Sequence, residues 1–487
     1  MSYEITGIIA TSLIIIVALW ITSFLWSVSD ILKTKKPKKW IILALVPIVG
    51  AFFYYLNVHT HEKLHKKEKL LHLIKNRWVI IAIIIIILLS MYVRLVDYRW
   101  PYLRNIDSYV FYRWMDEIVL NNGVLPTLDT YQIAPNGFYR PPEWIYPYFY
   151  IGAYAYMIAN SVISLTLVEF LIYFPAFLAT LAVIPLYFIG KMLYDRKAGV
   201  LAAFIYVFDI SNLSRSLGGD PDSDAIVILM SMIVMAALIF TYKYASSAKS
   251  FDRRLLLYSV LTSIALWLWY STWAGYWYIF WLFTGFVLLV TFYRLACEYN
   301  GYVRFVVFFL PVIGLFDVKK FIIGIKKSKY ILASFAVYMI LSFALTIPPY
   351  GLTKVEAALI GPIQFQSIKG EDAQFPNVYV SVAELQQSGG PREIIARTSV
   401  VGGPLILISS FFLMIYALIY LLYSYYKKRQ HLDTVLLLLV WFIGPFMATI
   451  VAIRFSILFS APLAIGSAIL FSKLIRMASG EDKNFGD

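Results

Sequence analysis

Residues 198–242 read AGVLAAFIYVFDISNLSRSLGGDPDSDAIVILMSMIVMAALIFTY, and the rest of the chain is interpreted around them. Two long apolar runs enclose a polar stretch, Arg215–Asp224, that carries one arginine and three aspartates. Charge at the edge of a membrane costs free energy, so a charged cluster between two apolar runs usually has a function. This stretch is therefore the first candidate functional site.

The composition indicates a membrane protein. Of the 487 residues 61% are hydrophobic, and the mean hydropathy is +0.74. Apolar runs close to 20 residues long recur along the chain, as transmembrane helices require. Much of the net charge of +14 lies in short loops between those runs, which is typical of cytoplasmic loops and argues against nucleic-acid binding. Cys297 is the only cysteine, which excludes an intrachain disulfide.

Four segments are predicted from the charge and hydropathy pattern. Residues 1–57 hold two apolar runs separated by lysines and look like a two-helix membrane anchor, and residues 58–77 form a basic cytoplasmic linker. Residues 78–475 contain the other apolar runs, and residues 476–487 form a polar tail. Histidines in the linker stand among lysines, which favours a solvated amphipathic helix near lipid head groups over a metal site.

The distribution of Lys and Arg predicts which loops lie on each side of the membrane. We expect an all-α polytopic membrane protein with about 11–13 transmembrane helices, including spans near 78–95, 168–190, 198–213, 225–242, 255–270, 274–293, 330–347, 404–425, 433–450 and 455–474. Two long external loops, 97–165 and 348–400, are expected to be structured, the first because it is too aromatic for a disordered segment. Residues 306–316 have basic flanks and are predicted to be re-entrant or interfacial.

This topology gathers charged side chains from four loops on the external face, namely Asp107, Arg215, Asp222, Asp224, Glu384 and Arg454. Most of them also have a simple structural explanation when considered alone. Asp107 could be a surface residue, and Arg454 at a span end could extend to lipid head groups. The arrival of all of them on one face favours a functional site.

Two of the local motifs are also compatible with helix capping. Asp220 could cap a helix that has Pro221 at its first position, with the later aspartates in the first turn. Ser381 and Glu384 have the spacing of a capping box. These structural alternatives stay open at this stage.

The residue types on this face indicate a particular chemistry. Several carboxylates together need a counterion, and oxygen ligands suit Mg²⁺ or Mn²⁺. No cysteine or histidine is predicted on that face, which disfavours zinc. An arginine at the same level suits a phosphate group. A divalent cation and an arginine facing lipid head groups predict a lipid phosphate or pyrophosphate as leaving group.

Over roughly residues 78–475 the chain resembles a known family, the catalytic subunit of oligosaccharyltransferase in its archaeal and bacterial single-subunit forms. These are membrane-embedded glycosyltransferases of the GT-C type. Five motifs in order carry the resemblance: Asp107 in Asn-Ile-Asp-Ser-Tyr-Val-Phe-Tyr-Arg, Arg215 seven residues before Asp222-Ser223-Asp224, Trp-Ala-Gly-Tyr at 273–276, Ser-Val-Ala-Glu at 381–384, and Arg454-Phe455.

The resemblance implies transfer of an oligosaccharide from a dolichyl phosphate or pyrophosphate carrier to Asn in Asn-x-Ser/Thr. It implies amide activation by Asp107 and Glu384, and coordination of Mn²⁺ or Mg²⁺ by these two residues with Asp222 and Asp224. Arg454 and Arg215 would bind the lipid phosphate. The implied partners are the lipid-linked oligosaccharide, the acceptor polypeptide and the membrane, and we expect an archaeal plasma membrane with the active site outside.

The sequence departs from the family pattern in one respect and leaves two other functions open. Family members usually add a soluble C-terminal domain with a Trp-Trp-Asp-Tyr-Gly motif, whereas this chain ends at Asp487 without a Trp-Trp pair. A separate subunit supplying that domain is therefore a possible partner. The alternatives are a related enzyme that transfers sugar from a polyprenyl phosphate, and a non-catalytic subunit or a transporter. A transporter would place ionisable groups at mid-membrane, whereas these lie at span ends.

Overall fold

The computed structural model describes residues 66–140, 147–273, 275–368, 388–398 and 407–482. The first half of the chain forms helices α1 Lys66–Leu95, α2 Ile106–Leu120, α3 Pro147–Val162, α4 Leu167–Leu181, α5 Val183–Leu193, α6 Arg196–Val207, α7 Ile210–Ser214 and α8 Asp224–Ser247. The second half forms α9 Arg253–Tyr270, α10 Trp277–Ala296, α11 Gly301–Phe309, α12 Val318–Lys327, α13 Lys329–Ile368, α14 Pro391–Thr398, α15 Ser410–Lys428, α16 Leu432–Val451 and α17 Ser456–Ala478. Two-residue strands, β1 Leu128–Asp129 and β2 Phe138–Tyr139, pair antiparallel.

Seven helical segments within the described ranges are long and apolar enough to cross a membrane: Arg77–Leu95, Leu167–Leu193, Asp224–Ser247, Trp277–Ala296, Lys329–Gly361, Leu432–Val451 and Ile453–Ala478. The prediction of an all-α polytopic membrane protein is therefore confirmed. The runs predicted near 198–213, 255–270 and 404–425 are helical too, as α6 and α7, α9 and α15, but fall short of that length or apolarity. Residues 1–65, with the two predicted anchor helices and most of the linker, lie outside the described residues.

Helix α17 forms the centre of the bundle. Nearly all of its first 15 residues are buried, and it packs against α6, α15 and α16. The apolar faces of these helices bury one another, which is how a polytopic bundle excludes lipid from its interior. Helices α5 and α6 approach especially closely, because a Cβ on Gly199 would lie only 2.5 Å from the Tyr187 carbonyl oxygen.

The predicted span near 198–213 is broken in the structure. Helix α6 ends at Val207, and Asp209 caps the short α7 by accepting a bond of 3.0 Å from the Asn212 amide. A buried aspartate that accepts backbone N–H groups starts a new helix and so interrupts the old one. The apolar pattern alone did not reveal this break.

The long loop that was expected to be structured is folded around a charged core. The Arg140 guanidinium, whose side chain is fully buried, donates to Glu117 at 2.7 Å and lies 2.9 Å from an Asp129 oxygen. Arg113 donates twice to the same Asp129 carboxylate, at 3.1 and 2.5 Å. These bonds join α2 to the small hairpin, so the loop has a fixed shape. Helix α13 is kinked at Gly351, where φ is +74°, and its second part extends into the second long loop as far as Ile368. Helix α14 follows at 391–398, with residues 369–387 outside the described ranges.

Candidate active site

The stretch from Arg215 to Asp224 connects α7 with α8 and is held by backbone bonds to two spans. The amide of Gly218 donates to the Arg94 carbonyl at the end of α1, and the amide of Gly219 donates to the Ile172 carbonyl in α4, both at 2.9 Å. Gly219 has φ +78°, and a Cβ there would collide with the Tyr98 ring. Glycine satisfies both conditions because it adopts positive φ freely and has no side chain.

The capping role considered for Asp220 is wrong. Helix α8 begins at Asp224 with Ser223 as its N-cap, and no side chain caps it among the described residues. The Asp220 carboxylate instead accepts a hydrogen bond of 2.8 Å from the Ser108 hydroxyl. Since a side chain can point away from the helix it precedes, the sequence spacing could not distinguish these two arrangements. Asp220 therefore joins the loop to α2.

Four of the predicted site residues meet at this loop. One Nη2 atom of Arg454 lies 3.2 Å from Oδ1 of Asp224 and 3.8 Å from Oδ2 of Asp222. Arg215 approaches the other Asp224 oxygen at 3.6 Å. Asp224 is almost fully buried at 5% exposure, whereas the arginine side chains keep 28% and 22% of their surface exposed. The simple lipid-facing role considered for Arg454 therefore does not describe its contacts.

The three carboxylates of the loop face three guanidinium groups. Asp220, Asp222 and Asp224 are the carboxylates, and Arg104, Arg215 and Arg454 carry the guanidinium groups. Burial and the charge of Asp224 raise the pKa of Asp222 to about 7, against the opposing effect of Arg454. Burial also raises the pKa of Asp220. A further cation near these carboxylates would relieve this repulsion.

Asp107 lies in the first turn of α2, directly beside the loop along the chain. Its amide donates to the Asn105 N-cap at 3.3 Å, and its side chain is exposed. The neighbouring Ser108 binds Asp220, and the Arg104 amide donates to the Gly219 carbonyl at 2.6 Å. The start of α2 is therefore bonded to the loop 215–224, and the Asp107 side chain there is exposed to solvent.

Two other parts of the chain pack against the residues that follow Arg454. The Trp273 ring, in the turn before α10, contacts the Phe455 ring edge-on with centroids 6.2 Å apart. The Ser211 hydroxyl donates to the Arg397 carbonyl at 2.6 Å and lies 2.9 Å from the hydroxyl of the next residue, Ser456. Helix α14, which lies near the end of the second long loop, thus packs close to Arg454.

Glu384 and Ser381 lie outside the described residues. Their predicted roles therefore stay predictions. The structure describes the chain up to Ile368 and again from residue 388. Because α14 contacts α7 and α17, the chain reappears close to the cluster.

The structure agrees with the predicted metal site only in the type of ligand, which is carboxylate oxygen. Within the described ranges no group of three or more His, Cys, Asp and Glu side chains is close enough to enclose an ion. Asp222 and Asp224 do supply carboxylate oxygens that are close enough to repel each other, and such ligands suit Mg²⁺ or Mn²⁺. The described carboxylates therefore fit a hard cation in ligand type.

Three residues that sequence reasoning missed support the loop. Arg94, 1% exposed, donates from Nε to the Ser216 hydroxyl at 2.9 Å and from Nη1 to the Ser90 hydroxyl at 2.6 Å. The Tyr148 hydroxyl donates to the Pro221 carbonyl at 2.9 Å. An arginine inside an apolar run was a usable signal for Arg94, whereas nothing in the sequence marks Ser108 or Tyr148.

The fold and these contacts define a polytopic membrane protein with a carboxylate–arginine cluster at one end of its spans. A family model described as "Oligosaccharyl transferase STT3, N-terminal" matches residues 77–481. The chain belongs to this family, and the suspected resemblance is confirmed. Two curated relatives, both named dolichyl-phosphooligosaccharide-protein glycotransferase, are 23% identical: one from Methanococcus voltae over 76% of this chain, one from Methanocaldococcus jannaschii over 77%.

Solved structures share the fold. The archaeal oligosaccharyltransferase AglB from Archaeoglobus fulgidus, in complex with an inhibitory peptide and a dolichol-phosphate, has a TM-score of 0.54 at 18% identity over 84% of this chain. The Archaeoglobus fulgidus oligosaccharyltransferase tethered to an acceptor peptide with the NVT sequon gives 0.57 at 20% identity over 85%. The chain spans 41% and 46% of the two curated relatives and 52% of each of these structures.

Proposed function

We propose that this chain transfers an oligosaccharide from a dolichyl phosphate or pyrophosphate carrier to the side-chain amide of Asn in Asn-x-Ser/Thr acceptors. The observation that carries the proposal is the meeting of Arg454, Arg215, Asp222 and Asp224 at one end of the spans. Family membership supports it, because two relatives are named for this transfer and one structural neighbour holds a dolichol-phosphate.

The arginines are proposed to bind the carrier phosphate. Both guanidinium groups contact Asp224 while part of each side chain remains exposed. A guanidinium has five N–H donors in a planar fork, so it can bind a carboxylate and a phosphate together. Charge that develops on the phosphate as it leaves is then stabilised by groups already in position.

Asp107 and Glu384 are proposed to activate the acceptor amide. An amide nitrogen is a poor nucleophile because its lone pair is delocalised, with a rotation barrier of about 18–20 kcal/mol. Carboxylates that accept its two N–H bonds favour a twisted amide with a more available lone pair. The nitrogen then attacks the anomeric carbon, the bond from that carbon to the phosphate oxygen breaks, and the phosphate leaves with the electron pair. One carboxylate takes the nitrogen's proton.

A divalent cation, Mn²⁺ or Mg²⁺, is proposed to be held by Asp107, Asp222, Asp224 and Glu384. Once bound, it supplies Lewis-acid stabilisation of negative charge on the leaving phosphate. The repulsion between Asp222 and Asp224 favours such a cation, since burial and the charge of Asp224 raise the pKa of Asp222. We propose that the site lies on the external face, because of the distribution of Lys and Arg, and that the membrane is an archaeal plasma membrane, because the relatives are archaeal.

The test is transfer in vitro by the purified full chain. It is mixed with lipid-linked oligosaccharide extract, Mn²⁺ and a fluorescent Asn-x-Thr peptide, with and without a chelator. We expect a glycopeptide that is lost with the chelator and absent with a Gln-x-Thr peptide. The Glu384→Gln variant should abolish the product. Glu298→Gln, which alters only an ion pair with Lys327 near the other end of α10, should retain activity.

Other outcomes separate the alternatives. Activity that survives Glu384→Gln and transfers sugar to a hydroxyl acceptor would favour a related polyprenyl-phosphate glycosyltransferase. No glycopeptide while the carrier still binds through Arg454 would indicate a chain that needs a separate subunit for acceptor recognition. The absence of both carrier binding and transfer would contradict the proposal.

A further inference from the structure

A polar cavity lies at the opposite end of the bundle from the candidate active site. Its volume is about 560 Å³, and its lining includes Lys243, Tyr293, Arg304, Tyr425, Arg429 and Asp433. Asp224 begins α8 and Lys243 lies 19 residues further along the same helix, a rise of about 28 Å. Similarly, His431 precedes α16 whereas Arg454 follows it. The cavity is therefore separated from the cluster by roughly the thickness of a bilayer core.

The lining is predominantly basic. Lys243, Arg304 and Arg429 carry three fixed positive charges, against the single negative charge of Asp433, which leaves a net charge of +2. Asp433 lies in the first turn of α16, where the helix dipole already stabilises a carboxylate. Burial and the charges of Lys243 and Arg476 lower the pKa of His431, so at neutral pH its imidazole can still accept or donate a hydrogen bond.

The two arginines of the lining contact tyrosine rings and a thiol. The Tyr293 and Tyr425 hydroxyls share a hydrogen bond, Arg304 lies 5.9 Å from the Tyr293 ring centre, and Arg429 lies 5.3 Å from that of Tyr425. Arg304 also donates to Cys297 Sγ at 2.9 Å. Since Tyr293 is in α10 and Tyr425 in α15, these contacts connect two helices around the cavity.

The turn between α15 and α16 adopts an unusual backbone. Arg429 has φ +58° and His431 has φ +63°, both in the left-handed region. Non-glycine residues adopt this conformation at a cost, which the surrounding structure must offset. The result is that two lining side chains come from one three-residue turn.

We propose that this cavity binds a phosphate ester, such as the head group of an anionic lipid, on the side of the membrane opposite the candidate active site. Arginine forks and a lysine suit phosphate oxygens, and the tyrosine hydroxyls can donate further bonds. The volume exceeds by far the roughly 30 Å³ of a water and is typical of ligand pockets. A cavity at a span end is reached directly by head groups of that leaflet, and basic pockets between spans bind such lipids.

The test uses the full chain purified in detergent and stripped of lipid. Phosphatidylglycerol, phosphatidylcholine or inorganic phosphate is added separately, and the melting temperature and the lipid retained in native mass spectrometry are measured. We expect phosphatidylglycerol to raise the melting temperature and remain bound, and phosphatidylcholine to have a much weaker effect. In the Arg304→Gln/Arg429→Gln variant the apparent Kd for phosphatidylglycerol should rise at least about tenfold.

The matched control removes the same charge elsewhere. Lys319 and Lys326 lie on α12, are exposed and do not line the cavity, so Lys319→Gln/Lys326→Gln should bind phosphatidylglycerol like the unmodified chain. The Arg304→Lys/Arg429→Lys variant retains the charge and should recover part of the affinity. If the glutamine variant misfolds, the lysine variant still tests the site, because it retains the positive charge and should disturb the packing less.

The results show whether the cavity binds phosphate and whether that phosphate belongs to a lipid or to a soluble compound. An equal effect of millimolar inorganic phosphate, lost in the glutamine variant, would support the site but assign it to a soluble phosphate compound. Binding of phosphatidylglycerol that is unchanged in the glutamine variant, or equally weakened in the α12 control, would overturn the proposal. Because none of these assays measures transfer, failure here leaves the proposed glycosyl transfer unaffected.

Discussion

At the scale of single residues, Arg454 shows how far sequence reasoning reaches. Its place beside Phe455 matches a motif of the family that the sequence resembles, and this resemblance implies a phosphate-binding role that stays a prediction. The sequence did not reveal that its guanidinium contacts Asp222 and Asp224, because these partners lie 232 and 230 positions away, and only tertiary packing joins them. The sequence predicted Arg454 as a site residue, but it could not predict which carboxylates Arg454 contacts.

Replacing Arg454 tests the binding of the carrier phosphate. We expect Arg454→Gln to raise the Kd for dolichyl phosphate by roughly 10–100-fold, the loss of about 1.5–3 kcal/mol from a charged hydrogen bond. Arg454→Lys retains the charge but not the planar fork, so its loss should be smaller. Binding can be measured with a fluorescent polyprenyl phosphate. Arg99→Gln, which removes an exposed arginine beside α1, is the control, and an equal loss in both variants would contradict this role.

Asp209 gives a prediction about pH. It is 2% exposed, and burial raises its pKa to about 7. The folded state therefore keeps a proton that the unfolded state loses near pH 4. This contribution to stability is complete below about pH 4 and is lost as the pH rises through about 7, at roughly 1.4 kcal/mol per unit.

The Asp209→Asn variant removes this titration while keeping a side-chain oxygen to cap α7. We expect the melting temperature of the unmodified chain to fall more steeply than that of the variant between pH 5 and 8. Asp97→Asn, whose side chain is 78% exposed, should follow the unmodified chain. If the Asp209→Asn curve has the same slope as the unmodified chain, the assignment is wrong.

At the scale of elements, the apolar runs predicted the spans well but not their boundaries or their packing. The start of α8 was placed within one residue, since Asp224 ends the polar stretch abruptly. The break at Asp209 was missed, because Phe208 and Ile210 keep the local pattern apolar. That α1 and α4 together hold the loop 215–224 could not be predicted either, since periodicity identifies a buried face without identifying what covers it.

The hydroxyl of Ser216 is expected to stabilise this arrangement. It accepts from Arg94 Nε at 2.9 Å and donates to the Asn212 carbonyl at 2.7 Å. Ser216→Ala leaves a buried guanidinium N–H without this acceptor, so we expect the free energy of unfolding to fall by about 1–3 kcal/mol. Thermal unfolding in detergent measures it. Ser161→Ala removes an exposed hydroxyl bonded to its own helix and should have little effect; similar losses in both would argue against the bond.

At the scale of the whole molecule, the positive-inside rule predicted which charged residues would meet. Four of the six, Arg215, Asp222, Asp224 and Arg454, do meet, and the segment carrying Asp107 is bonded to the same loop. These four residues share one end of the spans because hydropathy determines where each span begins and ends, and the assignment of that end to the external face stays a prediction. It could not supply distances within that face.

The proposed orientation can be tested by labelling. Starting from Cys297→Ser, which removes the only native cysteine, single cysteines are introduced at two highly exposed sites. Ile106→Cys, at a position 86% exposed, lies beside the candidate active site, and Phe316→Cys, at one 92% exposed, lies between α11 and α12. A membrane-impermeant maleimide on intact cells should label only the first. Labelling of only the second would reverse the orientation.

The central claim is that the cluster at Arg215–Asp224 performs metal-dependent glycosyl transfer. The most direct measurement is the rate of glycopeptide formation by Asp222→Asn with Mn²⁺ and saturating carrier, beside Asp97→Asn. We predict a rate about 10²–10³ lower for Asp222→Asn, the range seen when one transition-state-stabilising group is removed, with Asp97→Asn unaffected. A rate for Asp222→Asn within about twofold of the unmodified chain, a difference under about 0.5 kcal/mol, would contradict the claim.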